Sequence, residues 1–259
     1  MKGVLKMSLS RFSLEGKVAL VTGARRGLGK AIALGFAQAG ADVAVSDMVI
    51  AGGELRQVAA EIRKLGQRSL VVRCDVTKKA QVNKMVERVE EGLGPIDILV
   101  NNAGIDSLHN MIETTEEEWH KVIDVDLTSC YLCSQAVGKR MIQRRRGSII
   151  SIASAAGIRG FAHRNTYNVA KAGVIMLTKI LARDWGKHNI RVNAIAPTMV
   201  KTDMTKFMDE KATLVEAARV PLGRLADADE IAGPAIFLAS DAASYVTGDT
   251  IVVDGGQLA

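Results

Sequence analysis

Tyr167 and Lys171 stand four residues apart inside an amphipathic run, Thr166–Trp185. A helix over that run brings both side chains to one face. A phenol is a poor base at its ordinary pKa of about 10. An ammonium group one turn away, together with a positively charged hydride acceptor, favours the phenolate and lowers that value. Such a pair can take the hydroxyl proton of an alcohol while its carbinol carbon gives up a hydride, or return the proton in the reverse direction. Taken alone, Tyr-x-x-x-Lys is common on helix surfaces, so its surroundings decide the reading.

The surroundings include a phosphate-binding turn. Thr22-Gly23-Ala24-Arg25-Arg26-Gly27-Leu28-Gly29 joins an apolar run, Lys17–Thr22, to a helical pattern over Gly27–Ala39. Gly23, Gly27 and Gly29 allow a tight turn and let the backbone approach a pyrophosphate, which then faces the positive end of the helix. Arg25, Arg26 and Leu28 are expected on the same dinucleotide. Asp47 closes the next apolar run, eighteen residues past Gly29. A carboxylate there grips the adenosine ribose hydroxyls and repels a 2′-phosphate. Arg25 and Arg26 pull the other way, because a guanidinium holds phosphate well. Direct contact of Asp47 with the ribose decides for NAD, with NADP still admissible.

The elements that must position these residues follow a regular rhythm. Lys17–Thr22, Ala41–Asp47, Ser69–Asp75, Ile96–Asn101, Gly147–Ile152, Ile190–Ala196 and Thr250–Asp254 read as strands. Helical patterns lie over Gly27–Ala39, Glu54–Leu65, Lys78–Glu91, Glu116–Arg140, Thr166–Trp185 and Asp229–Ala239. Alternation of this kind predicts an α/β fold: one Rossmann-type, doubly wound parallel sheet of seven strands with helices on both faces. Ligands of such sheets bind outside the carboxyl ends of the strands. Residues 1–12 form an N-terminal extension, and 13–259 a single catalytic domain. Thr198–Arg224 breaks the rhythm where ligands collect, which predicts a substrate lid near 198–224.

These residues together resemble the short-chain dehydrogenase/reductase family along nearly the whole chain. The turn has that family's T-G-x-x-x-G-x-G spacing. Asn101-Asn102-Ala103-Gly104 matches its N-N-A-G element, and Ser154, thirteen residues before Tyr167, completes its S…Y-x-x-x-K site. The resemblance implies that Asp75 and Val76 meet the adenine, and that Asn102, Ala103 and Gly104 line its ribose. It implies that Pro197, Val200 and Thr202 meet the nicotinamide, and that Tyr167 and Lys171 touch its ribose. Ser154 would hydrogen-bond the substrate oxygen. Asp254-Gly255-Gly256 matches the family's ending, and the resemblance implies a homotetramer. One departure concerns the chemistry: Asp126 stands where the family has an asparagine that supports a proton relay. An ionised carboxylate cannot donate as an amide does, so Asp126 is expected in the relay with an altered contribution.

The substrate side reads Ala155-Ala156-Gly157-Ile158-Arg159-Gly160-Phe161-Ala162-His163-Arg164. Arg159, His163 and Arg164 together suit a polar or anionic alcohol/ketone: a sugar, sugar acid or polyol. The alternatives are a 3-oxoacyl-carrier-protein reductase using NADPH, which Asp47 opposes, and a dinucleotide-sensing protein without turnover, which the retained Tyr167 and Lys171 oppose.

Composition narrows the rest. The 259 residues are 48% hydrophobic and carry a formal charge of +6. No run approaches the roughly 18 apolar residues of a membrane span, and the first eleven residues show no export signal. Arg144-Arg145-Arg146 lacks the interleaved aromatics of a nucleic-acid surface, so no nucleic-acid or membrane partner is expected. Three cysteines supply no disulfide framework, which fits the cytoplasm. Cys130 and Cys133 have C-x-x-C spacing inside a helical pattern without a second pair. They read as buried small hydrophobes, and no metal is expected.

Overall fold

The computed structural model describes residues 9–202, 205 and 209–259. The strands are β1 (Val18–Thr22), β2 (Asp42–Asp47), β3 (Ser69–Arg73), β4 (Ile98–Asn101), β5 (Gly147–Ile152), β6 (Ile190–Pro197), β7 (Val200–Lys201), β8 (Ala226–Asp227) and β9 (Thr250–Val253). The helices are α1 (Gly27–Gln38), α2 (Glu54–Lys64), α3 (Lys79–Leu93), α4 (Glu116–Ile123), α5 (Ser129–Arg144), α6 (Asn165–Trp185), α7 (Glu210–Ala218) and α8 (Asp229–Ala239). Seven strands form one sheet in the order β3-β2-β1-β4-β5-β6-β9, parallel throughout.

Strand periodicity divides the core into two layers. Ala19 and Val21 of β1 face Ile32, Phe36, Leu55, Ile62 and Leu238 from α1, α2 and α8. Leu20 faces Val82, Met85, Val137 and Met141 from α3 and α5. Each of these side chains is at most 1% exposed. Burying one of the larger of these is worth about 1.5–3 kcal/mol, so both faces of the sheet contribute to holding its helices in place.

Chain order reverses between β1 and β4, which opens a crevice at their carboxyl ends. Thr22 and Asn102 staple it. Thr22 Oγ1 donates to the Val100 carbonyl at 3.2 Å and accepts from Asn102 N at 3.0 Å. Asn102 Nδ2 donates to the Thr22 and Gly23 carbonyls at 2.9 and 3.0 Å. Just below, Asn101 Nδ2 donates to Ser134 and Ser151 and so joins β4, α5 and β5.

One local feature differs from the sequence expectation, and two segments gain detail. The predicted helix over Glu116–Arg140 is interrupted at Asp124–Thr128 by a π turn, after which α5 runs on to Arg144. A one-residue insertion leaves helical periodicity intact on either side, so the pattern conceals it. The predicted lid holds α7 and the two-residue pair β7–β8, while residues 203–204 and 206–208 lie outside the described residues. Within the N-terminal extension, residues 1–8 also lie outside them. Leu9–Phe12 forms one 3-10 turn, with Phe12 6.2 Å from Phe237 and Arg11 donating to the Asp241 carbonyl at 2.8 Å.

The glycine turn depends on close backbone approach. A Cβ on Gly29 would lie 2.4 Å from both Asn102 Nδ2 and the Gly23 carbonyl oxygen. Gly29→Ala therefore strikes the staple itself. We expect it to destabilise the fold by about 1–3 kcal/mol and to weaken dinucleotide binding, read from denaturant midpoints and calorimetric titration. An unchanged midpoint would show that the staple does not need this approach.

Candidate active site

Ser154, Tyr167, Lys171 and Asp126 arrive from four segments. Ser154 follows β5 in extended backbone and caps a 3-10 turn, its Oγ accepting from Ala156 N at 3.1 Å. Tyr167 and Lys171 sit on the first turns of α6, as the four-residue spacing predicts. Lys171 is 4% exposed, donates to the Ile152 carbonyl at 3.0 Å, and has its Nζ 5.4 Å from the Tyr167 ring centroid.

Asp126 comes from the π turn and is fully buried. Its Oδ1 accepts from Ile105 N at 2.8 Å, and its Oδ2 lies 3.1 Å from Lys171 Nζ. The second contact is a buried ion pair. Gly104 leaves the space for it, since a Cβ there would lie 3.1 Å from Asp126 Oδ2.

Burial pushes the Tyr167 phenol up; Lys171 acts against that in the expected direction, as does the Ser154 hydrogen bond, and Asp126 adds to the rise. Burial also raises the Asp126 carboxyl against the pull of Lys171. Desolvation disfavours the Lys171 ammonium, but Asp126 and Tyr167 outweigh it and hold the lysine protonated. The lysine's influence is thus divided between a phenol and a carboxylate.

A cleft of about 840 Å³ runs from these residues to the glycine turn, within the range of small-molecule sites. Gly23, Arg25, Arg26, Gly27, Leu28, Asp47, Asp75 and Val76 line one half. Asn102, Ala103, Gly104, Pro197, Val200 and Thr202 line its middle. Gly29 is not in the lining; it acts from behind through the staple. No side chain caps α1, so its first N–H groups are available to an anion. The residues present therefore fit a dinucleotide.

Asp47 and Arg25 do not oppose each other as separate groups. Arg25 Nε lies 3.7 Å from Asp47 Oδ1, and Arg25 Nη1 pairs with Glu54 Oε2. Asp75 Oδ1 accepts from Thr77 N and Oγ1 at 3.0 and 2.7 Å.

Of the residues expected on the substrate, His163 and Arg164 line the cleft, whereas Arg159 is exposed and lies outside the lining. His163 adopts φ 61°, uncommon for a residue with a side chain. Asp106, Lys121, Met199, Glu216 and Arg219 also line it and were missed. Asp106 was findable as the next polar position after the N-N-A-G element, but its partner Arg164 is 58 residues away. Cys74, Cys130 and Cys133 are free and buried, and burial pushes the Cys74 and Cys130 thiols up to about 11. No metal-binding cluster occurs among the described residues.

Comparison with known proteins adds to this geometry. The profile of the family described as enoyl-(acyl carrier protein) reductase matches residues 23–257. The chain is 42% identical to 2-dehydro-3-deoxy-D-gluconate 5-dehydrogenase of Escherichia coli K12, covering 98% of this chain and 100% of that one. It is 43% identical to a 3-oxoacyl-[acyl-carrier-protein] reductase of Thermotoga maritima, covering 94% and 98%. Among solved structures, a gluconate 5-dehydrogenase from Burkholderia cenocepacia J2315, in complex with NADP and tartrate, superposes with a TM-score of 0.91 at 35% identity, covering 96% and 98%.

Asp126→Asn removes a negative charge that raises the Tyr167 pKa. The phenolate then persists to lower pH. In a pH profile of alcohol oxidation, the limb that rises with pH is expected to move to lower pH; a limb that stays in place would remove Asp126 from the proton chemistry.

Proposed function

Since the chain belongs to the short-chain dehydrogenase/reductase family, we propose that it interconverts a secondary hydroxyl and a ketone on a sugar acid, using Tyr167 for the proton. It is a nicotinamide-dependent oxidoreductase acting on CH–OH groups. When bound, NAD(P) supplies the hydride acceptor or donor. Tyr167 takes the hydroxyl proton or returns it at its phenol oxygen. Lys171 stabilises the phenolate charge and, with Asp126 behind it, stays protonated while doing so. Ser154 presents its hydroxyl to the reacting oxygen and stabilises charge that develops there. Gly23, Gly27 and the open end of α1 would hold the pyrophosphate, and Pro197, Val200 and Thr202 the nicotinamide end.

The observation that carries the sugar-acid reading is the charged lining of the cleft: the Asp106–Arg164 pair beside Tyr167, and the Glu216–Arg219 pair at 2.6 Å elsewhere in the same lining. The names of the Escherichia coli and Burkholderia relatives agree with it. A second reading, reduction of a 3-oxoacyl thioester, is favoured by the Thermotoga relative, but an acyl chain would set methylenes against those charges. We propose NAD as the preferred dinucleotide because Asp47, at the end of β2 and in the cleft lining, suits ribose hydroxyls and repels a 2′-phosphate. The Burkholderia structure holds NADP, which keeps NADP admissible here.

The free, buried thiols suit a reducing compartment, and the cytoplasm is part of the proposal; no helix among the described residues is long and apolar enough to cross a membrane. We propose a homotetramer as well. Tyr131 of α5 and Val169, Met176 and Ile180 of α6 are exposed apolar side chains on helices beside the active site.

Initial rates with NAD and NADP across aldonates, polyols and a 3-oxoacyl thioester test the assignment. Aldonate turnover with an NAD preference is expected, and turnover confined to the thioester with NADPH would replace it. By sedimentation we expect a tetramer that Ile180→Glu breaks into smaller species; a monomeric native protein would exclude the assembly.

A further inference from the structure

Arg164 stands immediately before α6 and three residues before Tyr167. Its guanidinium carbon lies 6.0 Å from the Tyr167 ring centroid, and Lys171 Nζ lies 5.4 Å from the same centroid. Two cations thus attend one phenol, each with its own carboxylate. The Lys171 partner, Asp126, is sealed from solvent and serves the proton chemistry. The Arg164 partner is Asp106, on the segment after β4, with Oδ2 2.9 Å from Nη1. These two side chains keep 24% and 13% exposure and both line the cleft, so a ligand can reach them.

The two edges of the Arg164 guanidinium face different neighbours. Nη1 meets the Asp106 carboxylate, whereas Nη2 faces the Met199 thioether at 3.9 Å. A thioether is a weak acceptor, while a guanidinium carries five donors in a rigid fork that suits carboxylates. Asp106 is itself fixed, since its Oδ1 accepts from Ser107 N at 2.9 Å. The segment carrying it is tied to α6 a second time, where Asn165 Nδ2 donates to the His109 carbonyl at 2.8 Å. Arg164 is therefore anchored at Nη1 beside the reacting phenol, while Nη2 meets a weakly accepting thioether in the same cleft lining.

We propose that Arg164 receives the substrate's carboxylate and that Asp106 is its positioning residue, so that the site selects polyhydroxy acids. This rests on the sugar-acid reading above. Preorganisation reduces the ordering cost of binding. Asp106 also disfavours a bare anion by like charge, while its carboxylate accepts from hydroxyl groups. A molecule bearing both a carboxylate and hydroxyls satisfies both partners, and a neutral acyl chain satisfies neither.

The test compares the native protein with Arg164→Gln, Arg164→Lys and Asp106→Asn. KM and kcat are measured with a six-carbon aldonate, and tartrate binding by calorimetry with the dinucleotide present. Losing a charge-assisted contact should raise the aldonate KM for Arg164→Gln by about thirty-fold and weaken tartrate by a similar factor, with kcat falling less than about three-fold. Arg164→Lys keeps the charge without the fork, so it should recover part of both losses. Asp106→Asn should weaken both several-fold. Should Arg164→Gln fail to fold, Arg164→Lys carries the test through weakened tartrate at an unchanged thermal midpoint.

Undiminished tartrate binding in whichever of these Arg164 variants folds, or native protein that binds no tartrate, would overturn the proposal. A fall in kcat without a change in KM would do the same, making Arg164 a prop for Tyr167. If the native protein oxidises no hydroxy acid while Arg164→Gln still loses tartrate, the sugar-acid reading falls and the anion subsite stands.

Discussion

An ammonium and a carboxylate 3.1 Å apart, both shut away from water, impose conditions on everything packed around them. Removing either charge from water costs several kcal/mol, and their attraction offsets this only if the remaining polar atoms find partners. The Ile152 carbonyl accepts a hydrogen bond from Lys171, and Ile105 N–H donates to one oxygen of Asp126. Gly157 must stay without a side chain, because a Cβ there would lie 2.5 Å from the Lys171 backbone, and a Cβ on Gly104 would crowd Asp126 Oδ2 at 3.1 Å. The consequence reaches the phenol. A lysine with a private counterion favours the phenolate less than an unpaired one does, and burial pushes Tyr167 the same way.

The exit of β4 connects this pair to the rest of the cleft, one residue after another. Asn101 ties three elements in the core, Asn102 staples the glycine turn, and Gly104 allows the ion pair its space. Ile105 then donates to Asp126, and Asp106 grips Arg164. A displacement of this one strand end would disturb the dinucleotide turn, the proton chemistry and the substrate wall together.

Strands and most helices were legible because their signals are local. Val18–Thr22 and Ile98–Asn101 are continuous apolar runs, and the turn after β1 carries its glycines in sequence. Tyr167 and Lys171 were legible for the same reason, as helix spacing alone puts them together. What remained hidden is long-range. Nothing in Asp106 announces Arg164, and nothing in Arg25 announces that Glu54 and Asp47 will share it. Arg159, only five residues from Arg164, points to solvent instead of the cleft, a distinction that depends on the path of the loop. Asp126 was legible as a departure, but its direct pairing with Lys171 required the π turn, which periodicity does not register.

That turn makes chain length itself a determinant of chemistry. A π turn holds one residue more than the α-helical path beside it, so it rotates everything on one side by about 100° relative to an uninterrupted helix. Ahead of it α4 carries Lys121, which lines the cleft, and after it α5 carries Ser134, bonded to Asn101. A single-residue deletion anywhere in Asp124–Thr128 would leave a better helix by local criteria. It would also put the two ends out of phase, so that Ser134 could stay beneath the sheet only if Lys121 left the cleft. The number of residues in this segment therefore constrains the site as firmly as the identity of Asp126 does.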